Sequence, residues 1–322
     1  MDKEGPIIVA INCMVYNHEP FVRQCLEGFV MQQTNFHFVA IVHDDASTDK
    51  SADIIREYAE RYPDIIYPIY ETENQYSKHD DSLSKIKDEA IQSLNPKYIA
   101  MCEGDDYWTD PMKLQKQVDF LDKNPEYVMC AHNYTIFEQS TGKTYPCHNY
   151  NHREYKQNGA VSYLPFTYYD GWFTTPLTCM VRHADYLYTM PREKFKYFLD
   201  QSYYYYVLKR GKGVLLRDIM GVYRVHQGGI YSGSTMEFNY CRSVSILTTI
   251  YKLEKDKKIL PLLQQYEKGY IVQLVGNRKI LKGITELILM INKMSLKYFF
   301  TTLLHLTHYH MSKIVSKLRI VK

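Results

Sequence analysis

The stretch YIAMCEGDDYWTDP, residues 98–111, decides how this chain is read. A short apolar run over 98–102 stops in three carboxylates, Glu103, Asp105 and Asp106, with Gly104 among them and Tyr107-Trp108 behind. Like charges this close raise one another's pKa. Two uses of such a cluster stand open. A divalent cation can neutralise it, since oxygen ligands suit Mg²⁺ and Mn²⁺. Alternatively, the acids form a solvated turn capping the helix that Asp110-Pro111 starts.

Working outward, two periods alternate over the first 135 residues. The nearly continuous apolar run 6–15 suits a strand covered on both faces. Residues 19–33 carry Phe21, Val22, Cys25, Leu26, Phe29 and Val30 at helical spacing. Further strands are expected at 36–42, 65–70, 98–102 and 127–131, and helices at 49–62, 78–94 and 111–123. Such alternation predicts an α/β fold, a mostly parallel central sheet flanked by helices. In these sheets ligands sit off the carboxyl ends of the strands. YNHEP follows the first strand, HDDASTD ends the second and EGDD ends the fourth, so the polar clusters fall at those ends. Tyr16 and Asn17 can stack on or contact a base. Asp44 and Asp45 can accept from a base N–H or a ribose hydroxyl, or belong to a helix-capping turn with Ser47, Thr48 and Asp49.

Residues 138–160 are polar and aperiodic, which predicts a loop or flap. Residues 198–229 read as a helix, a glycine turn and two short strands. From about 236 to 322 the pattern is helical. The expected organisation is a catalytic domain over 1–235, with a nucleotide half at 1–110 and an acceptor half at 111–235, followed by a helical extension at 236–322.

Composition narrows the function. With 45% apolar and 23% charged residues and a net charge of +3, the chain is ordinary for a globular protein. Nothing in it resembles a nucleic-acid-binding motif. Neither GxGxxG nor GxxxxGK[ST] occurs, so neither a Rossmann dinucleotide site nor a P-loop is supported. Seven scattered cysteines without a CxxC pair suggest a reducing, cytoplasmic compartment. The N-terminus makes a poor signal peptide, and no run is apolar over about 18 residues as a membrane span requires. After Glu286 no acid remains, while Lys293, Lys297, Lys313, Lys317, Arg319 and Lys322 alternate with apolar residues. That tail reads as a membrane-surface helix or as one docked on the domain with a solvated basic edge.

Four segments in order, 6–33, 38–64, 98–126 and 199–229, resemble the inverting nucleotide-sugar glycosyltransferases of family two, which have the GT-A fold. The resemblance implies a sugar transfer from a nucleotide-diphosphate sugar, UDP-linked by preference, to a glycan or lipid-linked glycan at the inner face of the membrane. It places Tyr16 and Asn17 near the base, and Asp44 and Asp45 at base or ribose. Glu103 and Asp105 fall at the D-x-D positions, toward ribose and a divalent cation (Mn²⁺ or Mg²⁺), with Asp106 beside them. It makes Arg224 and His226 of YRVH diphosphate or metal contacts, and Asp200, ahead of Lys209-Arg210-Gly211, the general base. Glu103 stands where Asp is more usual, and Leu199 stands before Asp200 where Gly is common. Trp172, Thr174 and Thr175 are candidates for the acceptor pocket. A second reading is a nucleotide-sugar or glycan binding protein that has lost turnover.

Overall fold

A computed structural model describes residues 5–78, 80, 82–147, 160–164, 174–183, 190–277 and 279–291. Trp172 and the basic tail beyond 291 lie outside the described residues. Contacts group the chain into two compact units. The first comprises Met1–Glu193 with Tyr203–His226, and the second Lys194–Ser202 with Gln227–Lys322.

The first unit is built on β1 (Ile7–Val15), whose apolar run is covered on both faces. It pairs in parallel with β2 (His37–Asp44) and with β4 (Tyr98–Met101), and β2 pairs with β3 (Ile66–Tyr70). The connecting helices are α1 (Val22–Val30), α2 (Ser51–Arg61) and α3 (Ser82–Leu94). Helix α1 turns Val22, Cys25, Leu26 and Phe29 inward, all at 0% exposure. Burying one such side chain stabilises by roughly 1.5–3 kcal/mol. Gly28 lets α1 close on β5 (Tyr107–Trp108), because a Cβ there would lie 2.9 Å from the Trp108 backbone nitrogen.

Helix α4 (Lys113–Lys123) then leads to β6 (Tyr127–Glu138), β7 (Lys143–Pro146), β8 (Ala160–Tyr163) and β9 (Met180–Arg182). After α5 (Asp200–Leu208) comes β10 (Lys212–Val225). The ten strands form one sheet in the order β3-β2-β1-β4-β9-β6-β10-β5, with β7 on β6 and β8 on β10. The sheet is more mixed than the periodicity implies, since β5, β7, β8 and β9 pair antiparallel to their neighbours. Two local expectations change. Residues 138–147 are not loop throughout, because β6 runs to Glu138 and turns back into β7. The two short strands expected after the glycine turn are one strand, β10. Its register with β6 shifts at Lys212/Gly213 and again around Leu216–Val222, where exposed Arg217 and Asp218 step out of the ladder while Ile219 stays paired with Asn133.

In the second unit, α6 (Met236–Glu254), α7 (Leu260–Gly276) and α8 (Ile280–Ile291) follow one another, with α7 in contact with both. Among the described residues no helix is long and apolar enough to cross a membrane.

Candidate active site

Four strand ends of the first unit carry the polar residues. The 16–19 turn after β1 is tied to the 47–51 turn after β2. Asn17 N–H donates to Ser47 Oγ at 2.9 Å, and Asn17 Oδ1 accepts from Thr48 N–H at 2.8 Å. His18 N–H donates to Ser51 Oγ and Glu19 N–H to Asp49 Oδ2, each at 2.9 Å. Asn17 thus acts as a brace in a left-handed conformation, φ 54°, which asparagine tolerates. Tyr16 stands 45% exposed just past β1.

The two aspartates after β2 differ. Asp45 accepts Gln75 N–H at 2.7 Å and Tyr76 N–H at 3.0 Å, so its carboxylate fixes the turn after β3. Asp44 accepts Ser47 N–H at 3.2 Å through Oδ2, while its Oδ1 is buried without a hydrogen-bond partner. A buried orphan acceptor of this kind is costly unless a donor completes it.

Next comes the acid loop after β4. Gly104 N–H donates to the Met14 carbonyl at 2.9 Å, bringing the loop against β1. An added Cβ at Gly104 would meet Val15 Cγ2 at 2.8 Å and His18 Nδ1 at 2.9 Å. Glu103 is exposed. The crowding at 103–106 is relieved by splitting the charge states of Asp105 and Asp106. Burial alone would raise the Asp105 carboxyl, but its hydrogen bond to His226 and the nearby His18 ring hold it below the ordinary 3.8. Burial, followed by the adjacent Asp105 charge, pushes the Asp106 carboxyl well above that value. The loop therefore favours charge on Asp105, toward the site, and disfavours it on Asp106 inside.

Arg224 and His226, at and just past the end of β10, close the site. His226 Nε2 lies 3.0 Å from Asp105 Oδ2. Arg224 N–H donates to Asp106 Oδ1 at 2.8 Å, and its Nε donates to the Asp105 carbonyl at 2.8 Å. Its two terminal nitrogens donate to Gln139 Oε1 at 3.0 Å and Gln24 Oε1 at 2.7 Å. The guanidinium also lies over the rings of Phe21, Tyr107 and Phe137 at 4.8, 5.2 and 5.6 Å. In this arrangement Arg224 fastens the acid loop to α1 and β6. Trp108 supports the loop from below: its Nε1–H donates to the Leu177 carbonyl at 2.8 Å and its ring meets Phe29 at 4.9 Å.

Thr174 and Thr175 open the turn over Pro176–Thr178, where the Thr174 and Thr178 hydroxyls bond each other at 2.8 Å. The Thr174 hydroxyl is thus engaged within that turn, whereas Thr175 Oγ1 is buried without a hydrogen-bond partner. Asp200 opens α5 and belongs to the second unit, where its Oδ1 accepts Gln201 N–H at 2.8 Å. Burial raises its carboxyl above 3.8, partly offset by the Gln201 N–H and then by Arg242.

Two groups escaped the sequence reading. His18 faces Asp105 and His226, and burial lowers its pKa. Lys87, on α3, feels the charges of Glu103 and Asp45, and burial likewise lowers its pKa. Neither carries a sequence signal, because tertiary packing brings each to the site.

Among the described residues no group of three or more His, Cys, Asp or Glu converges as a preformed metal centre. The Asp105–His226 pair is nevertheless a suitable donor set for a divalent cation that keeps water and phosphate oxygens in its shell. A cation bound mainly by substrate needs only one or two protein ligands.

The model of the family described as Glycosyl transferase family 2 matches residues 11–186. An uncharacterized protein of Mycobacterium tuberculosis strain H37Rv is 42% identical over 137 residues, 42% of this chain and 37% of that protein. The putative glycosyltransferase EpsH of Bacillus subtilis is 30% identical over 136 residues, 42% of this chain and 36% of that one. The matched stretch thus spans little more than a third of these relatives. In fold, the chain resembles S. aureus TarS 1–349 in complex with UDP-GlcNAc, with a TM-score of 0.57 at 15% identity, over 82% of this chain and 70% of that one. It also resembles the mannosyltransferase PcManGT of Pyrobaculum calidifontis in complex with GDP-Man and Mn²⁺, with a TM-score of 0.55 at 14% identity, over 99% and 86%.

Proposed function

This chain belongs to glycosyl transferase family 2, and from that premise we propose that it moves a sugar from a nucleotide-diphosphate sugar, UDP-linked by preference, to a hydroxyl of a glycan or lipid-linked glycan with inversion, in polysaccharide biosynthesis. The observation that carries this reading is the Asp105–His226 pair, 3.0 Å apart at the carboxyl ends of β4 and β10.

In this reading Asp105 and His226, with Glu103 nearby, hold Mn²⁺ or Mg²⁺, which supplies positive charge for the departing diphosphate when bound. Tyr16 stacks on the base, and Asp44 Oδ1 accepts from the base or ribose. Asn17 and Asp45 hold the turns around that pocket. Asp106 and Arg224 keep the acid loop in position, and Lys87 adds a cation beside it. Asp200 removes the proton of the acceptor hydroxyl as its oxygen attacks the anomeric carbon. The anomeric C–O bond to the diphosphate breaks, and its electron pair leaves with the nucleoside diphosphate. A single displacement inverts the anomeric centre and requires no covalent enzyme intermediate.

The exposed Leu281, Ile284 and Ile288 of α8 support a peripheral position on the inner face of the membrane. A lipid-linked acceptor would be met there.

The test is a thermal-shift panel of UDP-, GDP- and dTDP-sugars, each with Mn²⁺ and with EDTA. A donor at about 100 Kd adds roughly 2.7 kcal/mol. A shift for one nucleotide that needs Mn²⁺ is the expected result. No shift anywhere in the panel overturns the donor site. A shift with neither hydrolysis nor transfer moves the assignment to a binding protein on the same fold.

A further inference from the structure

The Glu103 carbonyl is the inner anchor of the acid loop. It accepts Asp106 N–H at 3.0 Å, which closes the turn that carries Asp105. Two thiols converge on the same oxygen. Cys25 of α1 donates to it through Sγ at 3.5 Å, and Cys102, just past β4, at 3.7 Å. Cys13 Sγ, on β1, lies 4.0 Å from Cys25 Sγ. A thiol has one hydrogen, so when Cys25 donates to the carbonyl, Cys13 is the donor across the sulfur pair. All three side chains are at 0% exposure, and all belong to the first unit.

We propose that Cys25 and Cys102 are positioning residues for the acid loop: their thiols hold the Glu103 carbonyl from within and so fix the turn that presents Asp105 to the cation. The effect on cation binding rests on the reading of Asp105 and His226 as its ligands. The effect on the turn does not.

Main-chain bonds tie the loop to β1 as far as Gly104. Cys102 N–H reaches the Asn12 carbonyl at 3.2 Å, and Gly104 N–H the Met14 carbonyl at 2.9 Å. Past Gly104, Arg224 takes hold at the Asp105 carbonyl and the Asp106 carboxyl. The thiols act at the other end of the turn, on the oxygen that closes it. The other use of a buried cysteine is as a small apolar side chain. The two uses predict opposite orders of substitution. Serine keeps a donor for the carbonyl and alanine does not, so a positioning thiol is better replaced by serine. A merely apolar thiol is better replaced by alanine, since a buried hydroxyl is costly unless bonded.

Amide hydrogen exchange followed by NMR reads the turn at Asp106 N–H, with the Ile41 and Val42 amides of β2 reporting any opening of the whole sheet. Cys25→Ala should speed exchange at Asp106 about threefold or more relative to β2, and Cys25→Ser should bring it back toward wild type. Should Cys25→Ala not fold, Cys102→Ala and Cys102→Ser are read the same way. The dissociation constant for Mn²⁺, from EPR of the free ion, should rise about threefold in the alanine variant and recover in the serine variant. Exchange at Asp106 that follows β2 in every variant, or is faster with serine than with alanine, overturns the role of the thiols. So does an alanine variant that binds Mn²⁺ as tightly as wild type. Failure of the underlying cation reading shows separately, as a wild-type protein that binds no Mn²⁺, and the exchange order then decides the thiols alone.

Discussion

Asp105 Oδ2 and His226 Nε2 lie 3.0 Å apart although 121 residues separate them in sequence. One ends the loop after β4 and the other follows β10, so the pair exists only when the whole sheet is assembled. Asp105→Asn removes the anionic donor and His226→Gln the imidazole. Each should weaken Mn²⁺ binding at least tenfold, about 1.4 kcal/mol, as read by EPR of free Mn²⁺. Wild-type affinity in both would exclude the pair as the cation site.

Asp106 gives a sharper contrast. Burial and Asp105 disfavour charge on its carboxyl, which accepts Arg224 N–H. Asparagine preserves the acceptor without a charge. Asp106→Asn should therefore keep Mn²⁺ affinity and lose less than about 1 kcal/mol, whereas Asp106→Ala should lose roughly 1–3 kcal/mol. Urea unfolding with a parallel Mn²⁺ titration checks both. Lost cation binding in the asparagine variant would make Asp106 a ligand instead of an internal support.

Asp200→Asn should retain the donor-dependent thermal shift and lose transfer by about 10²–10⁴. Equal transfer rates in variant and wild type would remove Asp200 as the base.

Gly28→Ala tests the closeness of α1 and β5. The new Cβ would sit 2.9 Å from the Trp108 nitrogen and 3.2 Å from its carbonyl oxygen, and main-chain atoms cannot swing aside. A loss of about 1–3 kcal/mol is expected from overpacking, with a weaker metal site because Trp108 supports the acid loop. A melting temperature equal to wild type would count against that contact.

Lys113 supplies a pH signature. It is fully buried, 3.8 Å over the Trp108 ring, and donates to Gln117 Oε1 at 2.7 Å. Burial lowers its amine from 10.5 to about 7. Between those values the unfolded chain binds more protons than the folded one, so this group adds stability as pH rises from about 7 toward 10.5. The wild-type minus Lys113→Met stability difference should climb across that window. A flat difference between pH 7 and 9 would show that the amine titrates normally.

The strands β1, β2 and β4 could be read from the sequence because each is a continuous apolar run ending in a polar cluster, and the helices between them show apolar stripes at helical spacing. The short antiparallel strands β7, β8 and β9 could not, since three or four residues carry too little period and their pairing is non-local. The unity of β10 was hidden by Arg217 and Asp218, which look like a turn but only step out of register. In the site, the acids at 44–45 and 103–106 were visible from composition alone. Their division of labour was not. That Asp45 holds a turn while Asp44 keeps an uncommitted oxygen depends on backbone N–H groups 30 residues away. Arg224 likewise gives no sign in sequence that its donors serve Gln24 and Gln139.

Strand β10 also sets a timetable for the chain as it is made. A ribosome delivers Asp106 and Trp108 well over a hundred residues before Arg224 and Gly221, their partners in the finished sheet. Until then β5 lacks its pairing strand, β6 exposes one edge and nothing fastens the acid loop. Non-local pairings of this kind form late and leave open edges prone to association. A message cut before codon 212 would yield a nascent chain with most of its apolar strands and no finished sheet, a substrate for chaperones and proteases before it could be one for chemistry.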